Sequence, residues 1–199
     1  MTVVDLDGTL LCGNSFRWFT RYVLRLAVRR RPMAAAELCV LLALRRLRTC
    51  SHRRLKWHLM KIADIVLSAD DYSAFARMLK ERINRRVLAA LGNEQKIVIA
   101  SAASDEYVAP FVELMGWRYH VATRRPPSGK YSDYIECRGE MKVKALRRMF
   151  PGESITAVYT DHVDDLPLLA ASSGRRVLVS PSASTLMTVS LAGLEPELI

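Results

Sequence analysis

Asp5 and Asp7 stand one residue apart near the start of the chain, followed directly by Gly8 and Thr9. Along an extended backbone this alternation puts both carboxylates on one side. Close carboxylates repel unless they share a cation or a proton. The pair therefore suits a divalent metal combined with acid–base work. A second acidic cluster follows far along the chain, as Asp161-His162-Val163-Asp164-Asp165. Two such clusters meet only if the strands that carry them lie close together. They would then form the all-oxygen surroundings that magnesium favours. A hydroxyl, Ser101, and an ammonium, Lys142, complete the set. These are the groups that the non-bridging oxygens of a transferring phosphoryl group require.

Each of these residues needs an element to position it. Met1–Leu6 is a short β-branched run that reads as a buried strand, with Asp5 at its end. Lys96–Ala100 is a second apolar strand ending at Ser101, and Ser154–Thr160 a third ending at Asp161. Arg118–Thr123 and Arg176–Ser180 add further strands. Helices are predicted over 104–115, with Ser104 as N-cap and Gly116 as its stop, then over 140–150 and 164–171. Residues 124–139, with two prolines and two glycines, read as loop or a hairpin. Strands that alternate with helices predict a parallel sheet covered on both faces. In such a sheet, ligands bind beyond the carboxyl ends of the strands.

Residues 15–91 have a different texture: arginine-rich, without glycine and helical in period. Phe16, Phe19, Val23 and Leu26 form one apolar stripe. Leu55, Leu59 and Ile62 form another after a capping Ser51. Tyr72, Phe75, Leu79, Ile83 and Val87 form a third. Pro32 separates the first helix from a second at about 34–48. The segment reads as an inserted all-helical unit of about four helices.

In order and spacing, Asp-x-Asp-Gly-Thr at 5–9, Ser101, Lys142 and Asp161-x-x-x-Asp165 resemble the four motifs of the haloacid dehalogenase-like superfamily. The helical insert between the first and second motifs resembles the cap of its phosphoserine-phosphatase-like branch. The resemblance implies a Rossmann-like doubly wound α/β core over 1–12 and 92–199, with a helical cap domain over 13–91. It implies that Asp5 attacks phosphorus and forms an aspartyl phosphate. Asp7 protonates the leaving oxygen and then takes a proton from the attacking water. Mg2+ is held by Asp5, the Leu6 carbonyl and Asp161, with Asp165 binding it through water or orienting its ligands. Ser101 and Lys142 hold the phosphoryl oxygens, assisted by amide groups around Gly8 and Ala102. Two positions depart from the pattern. Thr160 stands where glycine is usual, and His162 where serine or asparagine is usual; the bulkier pair narrows the metal site or tunes the substrate. The second Asp of the first motif points away from dehalogenation.

Charge sharpens the picture. The net charge of +10 is concentrated in residues 13–95, which hold 18 Lys/Arg and 6 Asp/Glu. Such a segment attracts a phosphorylated substrate or an anionic membrane surface, or is a solvated helical face. Arg17, Arg21 and Arg25 recur at helical spacing near the nucleophile and are candidates to bind a second anionic group on the substrate. They stand equally as solvating charges. The leading reading is a phosphatase of a small phosphorylated molecule. Its rivals are a phosphatase of a membrane lipid phosphate, with peripheral contact through the basic cap, and a non-catalytic nucleic-acid or partner-binding module. No nucleic-acid motif accompanies the basic segment, so nucleic acid is not expected as a partner. Cys12, Cys39, Cys50 and Cys137 show no zinc or redox spacing and read as reduced thiols of a cytoplasmic protein. No signal-like start and no run of about 20 apolar residues is present.

Overall fold

The computed structural model describes residues 1–92 and 94–199. Among them, six strands form one fully parallel sheet in the order β3-β2-β1-β4-β5-β6. The strands are β1 (Thr2–Val4), β2 (Ile97–Ser104), β3 (Tyr119–Thr123), β4 (Ile155–Thr160), β5 (Ser172–Leu178) and β6 (Glu197–Leu198). The order reverses at β1, as in doubly wound α/β folds, where the crevice for a ligand opens beyond the strand ends. The last strand and the helix before it, Ala183–Leu191, carry no strong sequence pattern and are found only in the fold.

Side chains alternate across the sheet. Val4, Ile99, Ala157, Tyr159 and Val177 face one way. Val3, Val98, Val158 and Leu178 face the other. The second face is covered by helices Glu140–Met149, Leu166–Ala171 and Ala183–Leu191 through residues such as Leu146, Leu169 and Val189. The first face is covered by helix Asp105–Leu114 and by the helices inserted between β1 and β2. One apolar cluster joins that face to Phe19, Leu59, Phe75 and Val87 of the insert. Phe19 lies 5.0 Å from Phe75 and 4.6 Å from Tyr107, ring to ring. Three helices are therefore locked by aromatic contact, each buried ring contributing roughly 2–3 kcal/mol relative to exposure.

The insert has five helices: α1 (Ser15–Arg30), α2 (Pro32–Arg46), α3 (His52–Val66), α4 (Ala69–Lys80) and α5 (Arg85–Leu91). Pro32 occupies the first turn of α2, where its missing N–H leaves no donor unpaired. Ser51 caps α3 through Arg54 N–H. The expected last stripe, 72 to 87, is split in two. Cys12 and Asn84 exchange backbone hydrogen bonds with Arg82 and Leu10, which pulls residues 82–84 out of helical geometry. Asn84 then caps α5. The α4 cap is also earlier than the acids suggest: Ser68 and Asp71 form a reciprocal capping box, and Arg30 binds Asp71 through both guanidinium nitrogens. That bond holds the Asp71 carboxyl down at about 2.

Ser104 occupies the N-cap of helix Asp105–Leu114 as expected and also ends β2; its hydroxyl bonds Glu106 and makes no cap bond to the backbone. Residues 124–139 form loop with one short 3-10 turn at Tyr131–Asp133, not a hairpin. All four cysteines are unpaired. Among the described residues no helix is long and apolar enough to cross a membrane.

Candidate active site

Register brings the motifs together. Val4 lies opposite Ile99 on one side and Tyr159 on the other. Asp5 is therefore level with Ala100 and Thr160, and Ser101 and Asp161 stand one residue beyond. Asp5 N–H donates to Tyr159 O at 2.9 Å, which holds the strand ends level. The result is a cleft of about 280 Å³ whose walls include Asp5, Asp7, Ser101, Lys142, Asp161 and Asp165.

Lys142 sits in the first turn of its helix and is buried between two carboxylates. Its Nζ donates to Asp5 Oδ1 at 2.6 Å and to Asp165 Oδ2 at 2.8 Å. Burial alone would lower the lysine, but the attraction of Asp5 and Asp165 raises it above its ordinary value, so it stays charged. Burial pushes the Asp5 carboxyl up to about 8, and the pull of Lys142 does not cancel it. The two shifts share one origin: one ammonium serves two carboxylates, and Asp5 carries the uncompensated charge.

Asp165 is fixed further by Thr160, whose hydroxyl donates to Asp165 Oδ2 at 2.8 Å. The departure at 160 thus has a structural use: the threonine holds the acid that holds Lys142. Asp165 Oδ1 is also 2.8 Å from Lys142 Nζ but makes no well-directed hydrogen bond. His162 is exposed at the rim, where its ring accepts from Asp164 N–H.

Asp7 accepts from Ser15 N–H at 2.6 Å and from the Ser15 hydroxyl at 3.0 Å. The Ser15 hydroxyl is in turn 3.3 Å from the buried Tyr107 phenol. Burial raises Asp7 despite these bonds, which favours the protonated form a general acid needs. Asp161 is also raised by burial, and Thr9 donates to it at 3.3 Å. Gly8 makes that placement feasible: a Cβ there would lie 2.1 Å from Asp161 Oδ2. The Gly8 N–H donates to Gly13 O, so the expected phosphate contact at Gly8 is replaced by this steric role. Ser101 Oγ accepts from Ala103 N–H at 3.0 Å and keeps its own hydrogen to donate. Ala102 is in the cleft wall, and its carbonyl accepts from Thr123 and Lys56.

The Leu6 carbonyl accepts Leu11 N–H at 2.8 Å and keeps a second lone pair for another partner. Arg17 and Arg21 do not reach the cleft. Helix α1 buries Phe16, Phe19, Thr20 and Val23, which turns residues 17, 21 and 25 outward. None of the three lines the cleft.

The insert reaches the site through α3 instead. Lys56 is buried, donates to Ala102 O at 2.9 Å and pairs with Glu136. His52 stacks edge-on against Phe16 at 4.8 Å, and burial keeps its imidazole below the usual value. Lys56, Ser15, Tyr107 and Glu136 belong to none of the four motifs. One signal marks Lys56 in the sequence: it falls in step with Met60 and Ala63 on the buried side of α3. Accordingly, Arg17→Ala should leave kcat/KM within about twofold of wild type, whereas Lys56→Ala should lower it on the order of 10- to 100-fold by loosening α3 over the cleft. Steady-state kinetics on one phosphate ester checks both. Equal losses in the two variants would contradict this assignment.

Four carboxylates crowd one central ammonium, and burial raises Asp5, Asp7 and Asp161 above their ordinary values. Among the described residues, no three acid, histidine or cysteine side chains converge into a ready-made metal cage. Magnesium needs no such cage, because it keeps several waters and takes one or two carboxylates. The upward shifts of Asp5 and Asp161, the room left by Gly8 and the unbonded Asp165 Oδ1 all fit a divalent cation between Asp5 and Asp161.

Comparison with known proteins agrees with this geometry. A family profile described as haloacid dehalogenase-like hydrolase matches residues 2–170. A Mycobacterium tuberculosis H37Rv protein named a probable phosphatase is 31% identical over 104 residues, covering 49% of this chain. The match spans 36% of that relative's length. A Bordetella pertussis Tohama I protein of unknown function shares the fold, with a TM-score of 0.73 at 19% identity, over 100% of this chain and 97% of that one. A phosphoserine phosphohydrolase-like protein from Francisella tularensis SCHU S4 gives a TM-score of 0.55 at 14% identity, over 100% and 95% of the two chains.

Proposed function

The chain belongs to the haloacid dehalogenase-like hydrolase family, and from that premise we propose that it is a magnesium-dependent phosphatase of a small phosphomonoester. The observation that carries the reading is the meeting of Asp5, Ser101, Lys142 and Asp161 where β1 and β4 end, where the β2–β3 register shifts after Ala100, and at one helix start.

Asp5 is the nucleophile. Lys142 holds Oδ1, and Oδ2 attacks phosphorus, forming an aspartyl phosphate as the bond to the leaving oxygen breaks. Asp7, protonated and oriented by Ser15, delivers its proton to that oxygen. The Asp7 carboxylate then accepts a proton from the water that attacks phosphorus, and phosphate departs with Asp5 restored. Ser101 donates its hydroxyl to a non-bridging oxygen, and Lys142 offsets the charge beside it. Asp5, the Leu6 carbonyl and Asp161 would hold a magnesium ion. Asp165 positions Lys142 and would bind that ion through water or orient its ligands. When bound, magnesium supplies positive charge to the phosphoryl oxygens and relieves repulsion between the carboxylates. The helical insert, 13–91, acts as the cap, with Lys56, His52 and Phe16 lining the cleft. The small cleft supports a small substrate. The complete set of reacting groups speaks against the non-catalytic reading.

The test is hydrolysis of an aryl phosphate with magnesium or with chelator. Turnover with the metal, lost on chelation and recovered on its return, is the expected result. Turnover indifferent to chelator overturns the magnesium assignment.

A further inference from the structure

Helix α2 carries apolar residues on two opposite sides, and only one is used by the fold. Ala35 and Leu38 face inward and are buried, with Leu41 and Leu42 partly covered against α1 and α3. On the outer side Met33, Ala36, Val40, Leu44 and Leu47 follow one another at helical spacing. Met33 is 83% exposed, Val40 57% and Leu47 71%. The stripe runs for roughly 20 Å along the helix. Val28 near the end of α1 is exposed as well.

Arginines bracket this stripe. Arg29 and Arg31 precede it and Arg46 and Arg48 follow it, all exposed. Among the described residues, none of these four side chains makes an ion pair or hydrogen bond. Glu37, exposed between Met33 and Val40 on the same side, is the only acid between Asp7 and Asp64. We propose that the outer face of α2 docks the protein on an anionic lipid surface, with the stripe in the headgroup–acyl boundary and the arginines on lipid phosphates. An interfacial helix has this composition: an exposed apolar ridge flanked by cations.

The pattern does not suit the other occupants. A two-fold contact between copies sets a patch against itself, so the arginines of one copy would face those of the other. A nucleic acid would meet an apolar ridge where its phosphates need cations. A helix-binding partner is received in a groove, and α2 presents a convex ridge. None of the patch residues lines the catalytic cleft, so the docking stands apart from the proposed chemistry and names no lipid as substrate.

The test is co-sedimentation of the full chain with phosphatidylcholine vesicles, with or without about 30 mol% phosphatidylglycerol. Wild type is expected to pellet with the anionic vesicles alone and to be released by salt. Val40→Asp with Leu47→Asp should weaken the partition at least about tenfold, and Arg46→Glu with Arg48→Glu should do so as well. All four positions are exposed, so thermal melting and aryl-phosphate hydrolysis should match wild type. Recovery in the supernatant with both vesicle types overturns the proposal, as does anionic binding that neither double variant weakens. A dimer that V40D/L47D dissociates, with no vesicle binding, would assign the face to a second copy. Patch-dependent gel shifts of duplex DNA without vesicle binding would assign it to nucleic acid.

Discussion

Asp5→Asn is expected to lower kcat by a factor on the order of 10⁴ or more, because an amide oxygen does not form the acyl phosphate. The substitution keeps the shape of the side chain and an oxygen to accept from Lys142, so the fold should survive. Stability should move the other way from activity. An unfolded aspartate ionises near 3.8, whereas burial raises folded Asp5 to about 8. Between those values the folded chain keeps a proton that the unfolded chain has released, so stability falls as pH rises across the window. Asparagine removes that loss. In chelator, the variant should melt at or above wild type, with a gap that widens from pH 5 to 8. Added magnesium should raise the melting temperature of wild type and leave the variant nearly unchanged. Retention of more than about 1% of wild-type kcat would remove Asp5 from the nucleophile role.

Lys142→Met should strike both stability and rate. The lysine is the only cation hydrogen-bonded to Asp5 and Asp165 among the described residues. Its loss leaves two carboxylates in a buried pocket with no counter-charge. Removing one partner of a buried ionic group costs about 3–5 kcal/mol. For a chain of this size that is a melting temperature lower by on the order of 10 °C. The rate should fall roughly 10²- to 10³-fold, as for loss of a group that stabilises developing charge. Adding Asp165→Asn removes one stranded charge and should recover part of the melting temperature without recovering the rate. That split distinguishes an electrostatic role from simple packing. A single variant that melts within about 2 °C of wild type would contradict the ionic triad.

The patterns that depend on neighbouring residues are legible in the sequence alone. Asp-x-Asp-Gly after a β-branched run marks a strand end. Ser101 and Asp161 follow apolar runs in the same manner, and Lys142 follows a glycine that opens a helix. These signals are short-range, and each survives because backbone alternation and helix capping act over a few residues. The same logic misplaces Arg17 and Arg21. Their spacing marks one helical face, but which face meets the cleft is decided by where Phe16, Phe19 and Val23 are buried. It also merges α4 and α5, because the hydrogen bonds that split them come from residues 10 and 12.

By itself, then, the sequence determined the alternating strands and helices, the helical insert and the polar groups that meet in the cleft, since composition and period are local properties. The tertiary structure alone decided the partners. Parallel register set Asp5 level with Thr160 and one step below Asp161. Packing of α3 brought Lys56 onto Ala102 O and Glu136, and burial set Ser15 against Asp7 and Tyr107 against Ser15. It likewise left the outer stripe of α2 uncovered. The reason is physical: contacts between residues far apart in the chain depend on how whole elements bury their apolar faces, and a linear pattern names the face without naming what will lie against it.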